Sequence, residues 1–509
     1  MGVNMKGTFL HLSITIAVLA AAVWTTGQLY RYAAADIYAS VGINKLDAGD
    51  LSIATEYLYT SLQYVPDEAD NWHAYAEVLY NSAKAAKTKA AALRLLTKAQ
   101  EAYEKSIQLN PLEGNAWLGL GYTRWWLSRF EGFENEYERV EANLLRALST
   151  DPNNGGFLYA AASYYLSNGE IEKGLAHVER MASTFPDAYQ HLRKTTYWSD
   201  EVRDSFKNGL KLASKNRRVG GNALTVLASI AADEEDWRSA TFYTEDIINR
   251  FNKENSPGPY LSLGHYYLRL GRQEEAKVAF LQALRFSPEP ERTLNNILWT
   301  HRQAKALDTY IDLCTETSKY DESVRRSLPL FLGKAHYYNN NLELAAENLR
   351  GYSKIQESAE AHFYLAEIAS RQKDWDTAEL ESQICTVLEP ENSHYHYLFA
   401  RSLRAQKKFD SALKAIDEAI QNSNPPKHYY YNMRGWLHWS MGKHQLAVDD
   451  WEKGFEIAPE NPSYPAQIAM AYKNLDNYRE AERYYLAAIR LDPQSNRFRQ
   501  ELESVRKSK

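Results

Sequence analysis

Cysteine is nearly absent from this chain of 509 residues: only Cys314 and Cys385 occur, far apart and outside any CxxC spacing. Two thiols so placed exclude a disulfide framework or a four-thiolate zinc site within one chain. Both fall in helical stretches, where a small buried hydrophobe is the simplest reading. A basic excess is missing as well, since the net charge is −6. A phosphate-binding face normally shows as such an excess, so nucleic acid is not an expected partner. No Asn-x-Ser/Thr sequon marks a secretory route, and no cysteine follows the N-terminal apolar run to accept a lipid.

Catalytic signatures are also missing. No stretch shows the alternating strand–helix pattern of an α/β domain. Gly119-Leu120-Gly121 lies inside a helical pattern and lacks the third glycine of a dinucleotide loop. His394 and His396, two residues apart on a helix, point to different faces and do not form a metal pair. Neither an enzyme nor a cofactor or metal site is expected. What the chain does have is 36 tyrosines and 12 tryptophans, with 24% charged residues. That composition suits packed helices with aromatic knobs and excludes disorder. The length exceeds what one core serves, which leaves several domains or a repeat array.

Residues 9–29 carry no formal charge, and a helix of that length rises about 31 Å, enough to cross a bilayer's hydrocarbon. Trp24 and Tyr30 would sit near an interface, bracketed by Lys6 and Arg31. A cleaved signal peptide competes, because Ala20, Ala21 and Ala22 supply small residues. Continuation of the run through Val23 and Trp24 favours an uncleaved membrane helix over 9–30, behind a short tail at 1–8. The charges flanking the run are nearly tied. The short tail suggests a body on the extracytoplasmic side, with the cytoplasmic side still open.

Beyond the run the chain repeats itself. Tyr260, Leu263, Gly264, Tyr267, Ala276, Phe280, Ala283 and Pro288 occupy positions 4, 7, 8, 11, 20, 24, 27 and 32 of a period of about 34. The same register returns in Gly435, His438, Ala447, Trp451, Gly454 and Pro459, and in Ile468, Ala469, Tyr472, Ala481, Tyr485, Ala488 and Pro493. Small residues at 8 and 20 mark the closest approach of two helices, and the one at 27 the approach to the next pair. Large residues at 4, 7, 11 and 24 fill the space between helices, and proline at 32 ends the second helix.

On these residues the chain resembles the tetratricopeptide-repeat family over nearly everything after residue 35. The resemblance implies an all-α fold: a right-handed superhelical solenoid of antiparallel helix hairpins, here preceded by the transmembrane helix. Units are expected over 35–188, 221–290 and 326–495, with degenerate ones at 189–220 and 291–325 acting as hinges. An Ala/Lys-rich insertion at 82–87 should lengthen helices, an insertion at 130–136 should form a loop, and 496–509 should cap the last apolar face.

In such an array the first helix of each hairpin lines the binding surface, with positions 2, 5, 9 and 12 facing it. Projection places Tyr429, Trp436 and Trp439 there, then Tyr397, Arg401 and Arg404, then Phe363 with Arg371 beside it, and Tyr122 with Trp125 nearer the N-terminus. Aromatic residues interleaved with arginine are the composition of protein-binding hot spots. Replacing Trp436 and Trp439 by alanine should then weaken capture of a partner and leave helical content and melting nearly unchanged. The family's Lys/Asn series that grips chaperone tails is missing. Two function classes follow. One is a membrane-anchored scaffold for other proteins or peptide segments, similar to anchored repeat proteins of cell-envelope or polysaccharide assembly. The other is an exported module for a glycan or other polymer, which would need an aromatic stripe along many units; the sequence places its aromatics in two clusters.

Overall fold

The computed structural model describes the backbone of residues 5–251, 255–320 and 322–508, and the side chains of 20–251, 255–317 and 324–508. Among these residues every regular element is a helix, and consecutive helices pair as hairpins. The chain divides into two compact units, Met1–Lys253 and Glu254–Lys509. That division falls between the two stretches expected as hinges.

The hairpin register follows from steric pairs. A Cβ placed on Gly42, Gly264, Gly333 or Gly435 would run into Leu58, Phe280, Leu349 or Trp451, in that order. Each pair is a position 8 against a position 24, so glycine at 8 lets the large residue at 24 lie flat on the first helix. Position 27 has a second role besides facing the next hairpin. Ser61, Ser106 and Cys385 donate back to the carbonyls of Ala35, Ala69 and Ala359, on the first helix of their own hairpin. A small polar residue at 27 therefore also closes its own hairpin, while Gly454 under Tyr464, Cys385 with Tyr395 and Ala419 with Tyr430 make the expected approach to the next one.

Turns repeat with the same regularity. Between the helices of successive hairpins in the second unit stand Gly271, Lys305, Asn340, Lys373, Lys407, Gly442 and Asp476, all at positive φ. The left-handed conformation stops the first helix so that the second can fold back. At hairpin ends, Asn110, Asp151 and Asp492 each precede a proline and accept from the backbone N–H two residues on. The rings of Trp72, Trp117 and His396 then hydrogen-bond to the carbonyls of Pro66, Pro111 and Pro390, six residues before each. This fastens one hairpin to the next. It also explains why Trp117 behaves as a packing residue, and it turns His396 away from His394.

In the first unit, the helix Met5–Asp47 runs without a break into the first hairpin, where Leu51–Tyr64 folds back on it. Arg31 donates to the carbonyl of Tyr64 at 2.8 and 3.1 Å. Among the described residues no helix is long and apolar enough to cross a membrane. The side chains of residues 9–19, where the expected membrane segment begins, lie outside the described ones. From Val23 to Tyr32 the large apolar side chains are exposed. Residues 82–84 of the insertion end the helix Ala69–Lys84, and the rest is a turn leading into the long helix Lys89–Leu109. The 130–136 insertion forms a loop entering the short helix Glu134–Arg139, and Glu136 there pairs with Arg124 at 3.0 Å. At 189–220 the first helix shrinks to Tyr189–Leu192 before Asp200–Ala213. In the second unit, Leu502 and Val505 of the last helix, Asn496–Ser508, cover Ala469, Ala481 and Tyr485.

Candidate functional site

In the second unit successive first helices lie side by side: Pro290–Gln303, Leu328–Tyr338, Ala359–Gln372, Ser393–Ala405, His428–Ser440 and Ser463–Asn474. Their side chains form a chain of ring contacts. Trp299 meets Tyr338 at 5.9 Å, Tyr337 meets Tyr364 at 5.1 Å, and Phe363 meets His394 at 5.5 Å. His394 stacks on Tyr397 at 6.1 Å, Tyr397 meets Tyr429 at 5.2 Å, and His428 meets Tyr464 at 6.0 Å. The expectation of isolated aromatic clusters is thereby corrected, because rings run through six consecutive hairpins. Adjacent rings such as Tyr337 and Tyr338, or His428 and Tyr429, reach the helices on either side, a link that spacing along one sequence hides.

Charged side chains fill the gaps between rings. The guanidinium of Arg371 lies 4.1 Å from the Tyr337 ring centre and donates to its hydroxyl at 2.7 Å. Arg401 pairs with Glu367 at 2.7 Å, and Arg404 reaches the sulfur of Met433 at 3.3 Å. Lys334, only 4% exposed, is held between Asn295 and Glu360 at 2.8 and 2.7 Å. Burial pushes the Tyr397 hydroxyl up, partly offset by Arg401 and Arg404. Burial likewise pushes His394 down, aided by Lys427, so this imidazole is held neutral as an aromatic surface.

At the C-terminal end these helices open into a cavity of about 420 Å³. Trp436, Trp439 and Met470 form its apolar wall, Phe498 and Arg497 of the last helix its far side, and Lys473 its rim. Lys473 pairs with Glu501 at 3.2 Å and donates to Ser504 at 3.0 Å. The side-chain oxygen of Gln467, which also lines the cavity, is buried without a hydrogen-bond partner. A peptide N–H arriving there would satisfy it; an apolar ligand would not. Beneath the wall, Trp436 and Trp439 meet the fully buried Trp451 at 5.3 and 6.1 Å. Each ring therefore serves core and cavity at once. Removing both should lower melting as well as binding, which corrects the expectation of an unchanged melt.

Of the residues projected from sequence, Phe363, Arg371, Tyr397, Arg401, Arg404, Tyr429, Trp436 and Trp439 all fall on this series of helices. Tyr122 and Trp125 lie in the first unit instead. Burial raises the Tyr122 hydroxyl, with Tyr80, Tyr159 and Tyr197 nearby, and Arg129 covers Trp125 at 5.0 Å. The projection missed Gln467, Met470, Arg497 and Phe498. The last helix reads as a polar cap, and Phe498, a lone aromatic in a charged segment, was the available signal.

Family models described as tetratricopeptide repeats match residues 258–290 and 466–495 in one form, and 332–383 and 397–462 in another. The chain thus carries tetratricopeptide repeats, and all four matched stretches lie in the second unit. Among curated proteins it is 22% identical over 310 residues to the RNA polymerase-associated protein CTR9 of Caenorhabditis elegans, covering 57% of this chain and 23% of that protein. It is 28% identical over 102 residues to a STIP1 homolog of Dictyostelium discoideum, covering 20% of this chain and 18% of that protein. The chain therefore spans less than a quarter of the length of these relatives. Among solved structures, yeast Tom70 aligns over 93% of this chain and 95% of its own at 14% identity and a TM-score of 0.35. MamA aligns over 34% and 94% at 18% identity and a TM-score of 0.33.

Proposed function

We propose that the protein is a scaffold, anchored in a membrane through its N-terminal apolar segment, that seats extended segments of partner proteins along the first helices of its second unit. The observation that supports this most is the cavity at Trp436 and Trp439. An apolar wall, a buried unpartnered amide oxygen on Gln467 and cationic groups at the rim together suit a peptide, which brings side chains and backbone N–H groups in one ligand. No catalytic role is assigned to any residue. The setting implied by the likeness to anchored repeat proteins is cell-envelope or polysaccharide assembly, with the body on the extracytoplasmic side.

The continuous ring series gives the polymer-binding reading a specific observation of its own. Sugars stack on open ring faces. Here Tyr430 and Tyr464 are fully buried and Tyr364 nearly so, while Trp299, at 43% exposed, is the open ring of the series. The rings spend their faces on one another, which favours the peptide.

A cross-linked pull-down from native membranes tests the reading, comparing the full chain with a version lacking residues 1–27. The shorter version keeps Arg31 on Tyr64. Retention of the full chain alone in the membrane, with a defined set of proteins, is the expected result. A protein that stays soluble in both forms and carries glycan would sink the proposal.

A further inference from the structure

We propose that the cavity at Trp436 selects one peptide pattern, a large apolar side chain with an acidic side chain two residues from it. This rests on the reading of that cavity as a peptide seat and assigns what the peptide must carry.

Three features of the lining call for three different groups. The apolar wall of Trp436, Trp439 and Met470 is faced by Phe498 of the last helix. One aromatic or branched side chain entering this space of about 420 Å³ leaves water and meets apolar surface on both sides. The Gln467 oxygen, buried and unpartnered, belongs to the same lining. A peptide group carries both an N–H and a C=O, so the backbone beside the anchor satisfies this amide as no acyl chain could.

Charge supplies the third feature. Lys473 is neutralised by Glu501 at 3.2 Å and also donates to Ser504. Arg497 is exposed, and among the described residues it forms no ion pair or hydrogen bond. The cavity is therefore left with one uncompensated guanidinium, carried by the last helix across from Trp436 and Trp439. A carboxylate is its complement, since it accepts from the fork of N–H donors. Side chains alternate along an extended peptide, so the immediate neighbour of a seated anchor points away from the cavity. The residue two positions on points the same way as the anchor and meets the rim. An acidic polysaccharide also brings carboxylates, but its hydroxyls would face Met470 and Phe498 without partners.

The test selects a random-peptide phage library on the full chain held in lipid nanodiscs and measures the enriched peptides by fluorescence anisotropy. They should share a large apolar residue with Asp or Glu two positions away. Arg497→Glu should weaken them about tenfold, because attraction becomes repulsion. Replacing the peptide's acid by lysine should restore affinity for that variant. Lys414→Glu makes the same charge change at an exposed position of the helix Phe409–Gln421 and should leave affinity unchanged. Melting curves confirm that both variants fold. Peptides that Phe498→Ala releases but that carry no acid, or carry it at random spacing, would overturn the pattern and leave the peptide seat standing. Equal weakening by Arg497→Glu and Lys414→Glu would do the same. Failure to enrich any peptide that Phe498→Ala releases would remove both readings, as would binding of polygalacturonate in their place.

Discussion

From Val140 to Ile247 one apolar cluster runs through successive helices, joining Phe157, Met181, Phe206, Leu227 and Ile247. Between Leu330 and Ala471 the buried side chains instead fall into separate groups, each confined to a hairpin and its neighbour. The first region contains the degenerate stretch 189–220, where large residues such as Tyr189, Trp198 and Phe206 pack on one another in place of the small residues of the regular units. In the second region glycine or alanine at position 8 accompanies cores that reach one neighbouring hairpin and stop there. The joints there also carry polar and aromatic contacts. Arg434 bonds Asp450 at 2.7 Å and Asp417 at 2.6 Å, with His438 also 3.1 Å from Asp450. Strict repetition thus leaves an orderly face of half-exposed side chains available for binding, whereas degeneration consumes side chains in a fused core.

The largest effect that could break this contrast is Phe206→Ala. Removing a fully buried ring should cost about 3–5 kcal/mol, and hydrogen exchange should quicken across 140–247 as a block. Loss of protection confined to 200–213 would mean that the cluster is not continuous. Asp450→Ala in the second region leaves Arg434 without its main partner. Burial would raise the Asp450 carboxyl, but His438 and Arg434 hold it below its ordinary value. Breaking the pair should cost about 3 kcal/mol, with exchange quickening only over 409–457.

Gly435→Ala sharpens the steric part. Its Cβ would strike Trp451, which is fully buried, so a cost of about 1–3 kcal/mol is expected in denaturant melts. Gly258 has open space around it, and Gly258→Ala should be neutral or stabilising by up to about 1 kcal/mol.

The smallest expected effect is on pH dependence. His362 hydrogen-bonds Glu381 at 2.5 Å and Glu357 at 3.2 Å, and the Glu381 bond raises its pKa above 6.5 against the opposing effect of burial. A raised folded pKa means the stabilisation is complete below pH 6.5 and lost as pH rises through the higher folded value. Stability of the second unit should therefore decline over that window. His362→Gln should flatten the decline, and an unchanged slope would assign it to other groups.

The regular part of the fold was legible because each steric contact has a counterpart in the sequence: Gly264 with Phe280 and Gly435 with Trp451 are both visible as spacings. The second role of position 27 was hidden because Ser61 and Cys385 act through hydrogen bonds to carbonyls, which no side-chain pattern encodes. Trp436 and Tyr397 lie on the series of first helices from which they were projected. Their double duty was hidden, since the ring of Trp436 rests on Trp451 from its own hairpin. Contributions of Phe498 and Arg497 to the cavity depend on how the last helix docks, a tertiary fact that a polar capping sequence conceals.

Site-specific photo-cross-linking tests the central claim most directly. A benzophenone side chain at Met470, inside the cavity, is compared in the full chain with one at Val278, exposed on a second helix of the same unit. The account predicts discrete protein adducts from position 470, lost on adding Phe498→Ala, and none from 278. Equal adducts at both positions, or none at 470 while the protein still captures its partners, would contradict it.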